Sequence, residues 1–385
     1  MHRMSVTDWL LQAIKYLNRK RRNWRRERML QQTDFPVRRQ LVLSNPVRSV
    51  LLITVNERYG DGLFVAGLAK RLTESGIAVS IAALPQVVER FKTYDFLIHI
   101  FSLRSEEDLK TASQIEFDAA VDLEYVNVRH WRDRVRLLRQ LNCYLFTVSE
   151  MCCRLHLFHE FISYRKVPHI ADRLGLIFNR LTFSTKPTKI YPAISVSEMD
   201  DKNAQQLKKS VGDVNHIVYF NCMAGDQDRC FSGKQMISII KVLCSMPDIG
   251  VIVNASHSIK PNQLPKHVVL LPAVSFGTLC ALVRHCNAIV TPDTCVTHIA
   301  SVWNKPTFVV FPPNDRDFYH QYAAADSWGS LAHCSETIKS DDEGLVIDPY
   351  GFGYPNRRPK PLSSISPEWL EVRVEAFMKK TFAAM

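Results

Sequence analysis

The stretch NAIVTPDTCVTHIASVWNKPTFVVFPP, Asn287 to Pro313, holds an apolar run, a polar break, a short helical pattern and a second apolar run. Strand, helix and strand in succession, with no polar alternation inside the apolar runs, is the pattern of a parallel sheet covered on both faces. The break carries Asp293, Thr294, Thr297 and His298. A turn requires polar residues, but not these four. At the carboxyl end of a strand, a helix start presents amide groups with partial positive charge. Phosphate or pyrophosphate is the guest that such an end favours. Asp293 and Thr294 are set to cap the helix and orient a ligand, and His298 shares the side of Thr294 by its i,i+4 spacing. A plain cap with a buried histidine is the other reading of the same residues.

Outward from this stretch the alternation continues in both halves of the chain. HIVYFNCMAG, the helix SGKQMISIIKVLCSM, the strands IGVIVNAS and HVVLLP, and the helix FGTLCALVRHC precede it. An earlier series begins at VRSVLLITV and runs through DGLFVAGLAKRLTESG, closed by Gly76, then IAVSIAAL, a helix near Gln86–Lys92, FLIHIFSL, a helix near Glu106–Gln114, and FDAAVDLEYV. Residues 128–183 read as mostly helical, and 184–215, with Pro187 and Pro192, as a linker. After Pro313 the chain reads as loop until a helix near Ser366-Pro367, a usual cap and first-turn pair. Two α/β series in 385 residues predict two doubly wound domains facing a cleft, with ligands at the carboxyl ends of the strands.

Composition narrows the class. A hydrophobic content of 46% and a charged content of 23% fit a globular protein. No apolar run reaches the roughly 18 to 20 residues that span a bilayer. The N-terminal basic cluster follows the apolar positions, the reverse of a signal peptide. Ten scattered cysteines without CxxC pairs read as free thiols of a reducing cytoplasm. The net charge of +11 is concentrated: residues 1–50 hold twelve Lys/Arg against three Asp/Glu. There Val6, Trp9, Leu10, Ala13, Ile14 and Leu17 form one helical stripe, with Ser5 and Asp8 at its start, and NRKRRNWRRER follows. An amphipathic helix with a basic end and Trp24 is suited to an anionic membrane surface. Packing on the protein's own body is the alternative, and no nucleic-acid motif accompanies the charge.

Two further breaks matter. NCMAGDQDRCFSGK supplies Gly225 for a tight turn or close backbone approach, Arg229 for a bidentate phosphate grip, and Ser232 as a helix cap. NERYGDGLF places Asp61 at a helix start across the expected cleft, as a cap or as a general base reaching a substrate hydroxyl. Glu57 is its competitor on the acceptor side, with Arg58 beside it. The spacing of Cys152, His156 and His159 permits a zinc site but lacks a supporting element. No Walker loop and no GxGxxG is present. No DxD pair is well placed for a metal-bound sugar nucleotide, and Asp341-Asp342 reads as solvated loop.

With these loops in view, the chain resembles glycosyltransferase family 9, the lipopolysaccharide heptosyltransferases. Gly60-Asp61 is similar to the family's Gly-Asp after the first strand. DTCVTH is similar to its Asp-Thr-Gly-x-Ser/Thr-His segment, WNKPTFVVF to its Gly/Ala-x-Gly-Lys-Pro-Thr entry, and FDAAVDL to its Tyr/Phe-Asp-x-x-Ile/Val-Asp-Leu strand. The likeness is scattered from Val47 to Pro313 and reaches the last helix, but excludes the first 46 residues. It implies the GT-B architecture of two Rossmann-like domains. The division expected is a basic extension 1–46, an acceptor domain 47–195, a linker 196–215, a nucleotide-sugar domain 216–350, and a closing loop and helix 351–385. The implied reaction is inverting and metal-independent: a heptose moves from ADP-heptose to a lipopolysaccharide core or related lipid-linked glycan. Asp61 would be the base, and the amides of Thr294, Cys295 and Val296 would meet the pyrophosphate. Asp293 would hold the sugar, and Arg229 would stand for the family's phosphate-binding Lys or Arg. The expected donor contacts are thus Gly225, Arg229, Asp293, Thr294, Cys295, Val296, Thr297 and His298. No cofactor beyond the nucleotide sugar is implied, and no nucleic-acid partner. The place of action would be the cytoplasm, peripherally at the inner membrane.

Three departures stand out. Cys295 replaces the usual glycine, Thr278 stands roughly where the family often has Glu near the nucleoside, and NERYGDG is atypical. The cysteine cluster that binds iron in one subgroup is absent. Two alternatives therefore stay open: another donor such as UDP-N-acetylglucosamine on the same fold, and a non-catalytic, membrane-recruited binding protein.

Overall fold

The computed structural model describes residues 41–43, 45–124, 130–148, 157–164, 167–255, 264–312, 324–332, 334–338 and 361–383. The basic N-terminal arm, Cys152, His156 and Asp341-Asp342 lie outside the described residues. Among those described, the chain forms two compact units that alternate along the sequence. One draws on the stretch up to Asn56, on Ala78–Val88 and on His99–Ser163. The other draws on Glu57–Ile77, Glu89–Ile98 and the chain from Tyr164 onward. The span 47–195 therefore contributes to both.

The first unit is built on a six-stranded sheet: β1 (Ser49–Thr54), β2 (Ala78–Ala83), β3 (His99–Ser102), β4 (Ala119–Asp122), β5 (Tyr144–Thr147) and β6 (Glu160–Phe161). Their order is β3-β2-β1-β4-β5-β6, and every pair is parallel. Val50 stands opposite Val79 on one side and Ala119 on the other. The inner strands are buried along almost their whole length, as a sheet covered on both faces requires.

The two aspartates of FDAAVDL have separate tasks here. Asp118 accepts from the amides of Arg48 and Ser49 at 2.7 and 2.9 Å, fixing the entry to β1. Asp122, fully buried, takes Arg134 Nη1 on both oxygens at 2.6 and 2.5 Å. Arg134 lies on α4 (Trp131–Gln140), after α1 (Tyr59–Glu74), α2 (Pro85–Phe91) and α3 (Glu106–Gln114). Burial pushes the carboxyls of Asp122 and nearby Glu124 up, against the pull of Arg134. Residues 128–183, expected to be mostly helical, also supply β5 and β6. Both are too short to show a strand period beside the helical arginines.

The second unit repeats the topology without an evident sequence repeat. Its strands are β7 (His216–Asn221), β8 (Ile249–Asn254), β9 (Val268–Leu270), β10 (Ala288–Pro292), β11 (Thr307–Val310) and β12 (Glu336–Ile338). The order is β12-β11-β10-β7-β8-β9, again wholly parallel. Counted from its own first strand, each sheet reads 3-2-1-4-5-6. Its helices are α1 from earlier in the chain and then α5 (Ile170–Thr182), α6 (Glu198–Lys209), α7 (Gly233–Ser245), α8 (Phe276–His285), α9 (Cys295–Val302), α10 (Ala324–Trp328) and α11 (Pro367–Ala383). Ser232 and Gln235 form a capping box on α7. Gln235 Nε2 also donates to the carbonyls of Leu362 and Ile365 at 2.9 and 2.8 Å. This ties down the approach to α11, whose Leu370, Val374, Phe377 and Met378 enter the core beside Ile239 and Ile240.

Residues 184–215 are not a free linker. Polar composition hid two structured pieces. An extended strap donates from Ile190 to Ala171 O and from Ala193 to Leu63 O, both at 3.0 Å. It passes so near α5 and α1 that a Cβ at Gly175 or Gly67 would lie 1.8 or 1.9 Å from a strap carbonyl. The second piece is α6, capped by Ser197. Its Asp200 accepts from Ser197, Ser275 and Thr278 hydroxyls at 2.7, 2.6 and 2.8 Å. A polar helix with one buried residue, Ala204, gives little hydrophobic periodicity to read.

Candidate functional site

In an open α/β sheet, ligands bind beyond the carboxyl ends of the strands where the strand order reverses. In the second unit that point lies between β7 and β10, and the two loops singled out in the sequence leave from these strands. The first contains a tight 3-10 turn, Gln227–Arg229, capped by Asp226. The second leads into α9 through the cap residue Thr294, whose hydroxyl accepts from Val296 N at 3.2 Å. Arg229 Nη1 meets Asp293 Oδ2 at 2.8 Å and joins the two loops. Burial pushes the Asp293 carboxyl up, while Arg229 and then Arg58 pull it down.

The residues expected to touch the donor are placed as follows. The Val296 amide donates to the Thr294 hydroxyl, the helix's own cap. Gly225 does not adopt a left-handed conformation, and a Cβ there would meet nothing within 4 Å. The turn is made by Asp226 and the 3-10 residues instead, and the space before Gly225 is open. Thr297 and His298 are 0% and 5% exposed and belong to the packing behind the helix end. Thr278 is buried and held by Asp200. Cys295 is a thiol pushed up to about 11 by burial.

Asp61 does not face this end from across a divide. It stands in the first turn of α1, which belongs to the same compact unit as α9. A Cβ on Gly60 would come within 2.8 Å of His298 Cδ2 and 3.8 Å of Cys295 Cα. Only glycine lets the two helix starts approach so closely. Gly60, between Arg58 and Asp61 in the chain, is thereby brought beside Cys295, and the charge of Arg58 reaches Asp293. Arg90 is a member that the sequence did not reveal. It donates to Glu57 O at 2.6 Å and covers the Tyr59 ring at 3.8 Å. Tyr59 in turn stacks on Phe276 at 4.3 Å. Nothing in the helical pattern of α2 marks Arg90, because its partners lie more than thirty residues away.

His298 packs edge-on against Phe64 at 5.0 Å and near Trp328 at 5.9 Å, and its Nδ1 has no hydrogen-bond partner. Burial, aided by nearby His169, lowers its pKa to about 3. An ordinary histidine protonates near pH 6.5. Between these values the unfolded chain binds a proton that the folded chain refuses, so stability falls as pH falls. The expected slope is up to about 1.4 kcal/mol per pH unit. His298→Gln should flatten the dependence of the urea midpoint between pH 6.5 and 5. His169, also lowered by burial, acts in the same sense and remains in the variant. An unchanged slope would mean that His298 takes its proton in the folded state.

Among the described residues, no group of three or more His, Cys, Asp or Glu side chains is placed to hold a metal ion. His159 accepts from Leu145 N at 2.9 Å and stacks on Tyr144. Nor is any helix among the described residues long and apolar enough to cross a membrane.

Residues 168–343 match the model of glycosyltransferase family 9 (heptosyltransferase). The chain is a glycosyltransferase similar to family 9. The match takes in Arg229 and Asp293–His298 but stops short of Asp61. Solved structures that share the fold of this glycosyltransferase include the following three. A glycosyl transferase family 9 protein from Veillonella parvula DSM 2008 has a TM-score of 0.65 at 12% identity, covering 86% of this chain and 98% of its own. The E. coli ADP-heptose lps heptosyltransferase II gives 0.62 at 15%, with 86% and 99% covered. E. coli heptosyltransferase WaaC with ADP gives 0.59 at 12%, again with 86% and 99% covered. At such identities the likeness establishes the GT-B type of fold, two parallel six-stranded sheets with helices. No curated protein matches the chain in sequence.

Proposed function

We propose that this glycosyltransferase moves a heptose from ADP-heptose to a hydroxyl of a lipopolysaccharide core or related lipid-linked glycan, with inversion at the anomeric carbon. The observation that carries the reading is the joining of Arg229, Asp293 and the α9 start at the strand-order reversal of one sheet. The fold is shared with an enzyme named for ADP-heptose and with one bound to ADP. In this reading the Thr294 and Cys295 amides and Arg229 meet the charge that grows on the leaving diphosphate, as fixed dipoles in a partly buried site do well. Arg229 exchanges part of its bond to Asp293 for the phosphate, and Asp293 turns to a sugar hydroxyl. Asp61 takes the proton of the acceptor hydroxyl as that oxygen attacks the anomeric carbon.

A thermal-shift series with ADP-heptose, UDP-N-acetylglucosamine, a GDP-sugar and a CMP-sugar tests the donor. ADP-heptose at about 100 times its Kd should stabilise the fold by about 2.7 kcal/mol. A shift with UDP-N-acetylglucosamine alone would replace the donor. Binding without any turnover of an ADP-sugar would support a non-catalytic role.

The arm of residues 1–28 is assigned to an anionic membrane surface on the cytoplasmic side, on the strength of its apolar stripe and arginine run. Deleting it should leave donor affinity intact and release the protein from phosphatidylserine-containing vesicles, with salt weakening the full-length interaction. If the truncated protein sediments as strongly as the full chain, the arm has no such role.

A further inference from the structure

Asn221, the last residue of β7, is 2% exposed, and its carboxamide joins three strand ends. Its two Nδ2 hydrogens are shared among three acceptors, the Met223 carbonyl at 2.9 Å, Thr291 Oγ1 at 3.1 Å and Thr294 Oγ1 at 3.2 Å. Its Oδ1 accepts from the Met223 amide at 3.3 Å and from Asn254 Nδ2 at 3.0 Å. Met223 opens the loop that carries Arg229. Thr291 is the last residue but one of β10, Thr294 caps α9, and Asn254 ends β8. A carboxamide carries two donor hydrogens and an oxygen with two lone pairs. Here both ends are engaged, and no charge is added.

We infer that Asn221 is the positioning residue of the diphosphate site. It holds the Arg229 loop and the α9 start in register from beneath, while keeping that ground neutral. The inference rests on the donor reading given above. Its content lies in the difference between a carboxamide and a carboxylate of the same size. A carboxylate at this position has no hydrogen for the Met223 carbonyl. It also sets a negative charge one hydroxyl away from the helix end that is to receive an anion. In a buried setting such a charge acts strongly over a few ångströms. The effect must then follow the charge of the ligand, which a purely structural role would not produce.

The test compares the wild type with Asn221→Asp by calorimetry, using ADP, UDP and the neutral nucleosides adenosine and uridine, with a melting curve for each protein. The expected result is about 100-fold weaker diphosphate binding, with nucleoside affinity changed less than about threefold. Donor KM should rise and kcat should fall together. Equal losses for diphosphate and nucleoside, or no loss, overturn the inference while leaving the donor reading intact. If the wild type binds neither diphosphate, the donor reading fails and this inference with it. Should Asn221→Asp not fold, Thr291→Val takes its place, because it removes one partner of the carboxamide without adding charge. There, about fivefold weaker diphosphate binding is expected, in keeping with one neutral hydrogen bond, and unchanged binding overturns the inference.

Discussion

Asp61→Asn is expected to lower turnover by about 10²- to 10⁴-fold, the usual worth of a general base. The substitution keeps the size of the side chain and much of its preference for a helix start, but removes its ability to accept a proton. Asp61 sits in the first turn of α1, so the charge lost there also costs about 0.3–1 kcal/mol of helix stabilisation. Donor affinity should change little, since the proposed task is on the acceptor hydroxyl. Single-turnover transfer to purified core glycan, with donor calorimetry and a melting curve on the same sample, separates these effects. Full activity in the variant would move the role to Glu57 or leave the loop structural. The closeness of Gly60 to His298 and Cys295 sharpens this prediction. A base on α1 belongs to the same compact unit as the proposed diphosphate end.

Arg229→Ala is expected to weaken ADP binding by about 1.5–3 kcal/mol, the range for a hydrogen bond to a charged group, or roughly 10- to 150-fold. The ion pair with Asp293 makes this more than a missing contact. Without Arg229 the main pull that favours the charged form of the Asp293 carboxyl is lost, and whatever charge it carries stands beside an incoming anion, with Arg58 still offsetting part of it. Two consequences can be measured by calorimetry. Adding Asp293→Asn to Arg229→Ala should recover part of the lost affinity. Lowering the pH should narrow the gap between Arg229→Ala and the wild type, because protonation removes the same charge. Unchanged ADP affinity in Arg229→Ala would take this residue out of the site.

The sequence disclosed most where burial is continuous. The runs that became β1, β2, β7, β8 and β10 are apolar almost throughout, and the glycine that closes α1 has the positive φ expected of such a terminator. It disclosed least where contacts replace pattern. β5, β6 and β12 are too short for a period, and α6 is held by the hydroxyls around Asp200 instead of by an apolar face. The site divides along the same line. Caps such as Thr294 and Ser232 are local and were legible. The Arg229–Asp293 pair and the links from Arg90 and Asn221 close across loops far apart in the chain. No local rule could anticipate them, or the loss of the Val296 amide to its own cap.

The alternation of the two compact units along the chain bears on how the gene can be cut. A fragment starting at Tyr164 would retain every strand of the second sheet and the whole family match. It would still lack α1, which supplies Leu63 to the core around Ile299 and Val296 and Phe64 to the ring of His298. A fragment cut at Tyr164 is therefore not a freestanding module. Such a clone should express as partly unfolded, protease-sensitive material unless the piece that carries α1 is made with it.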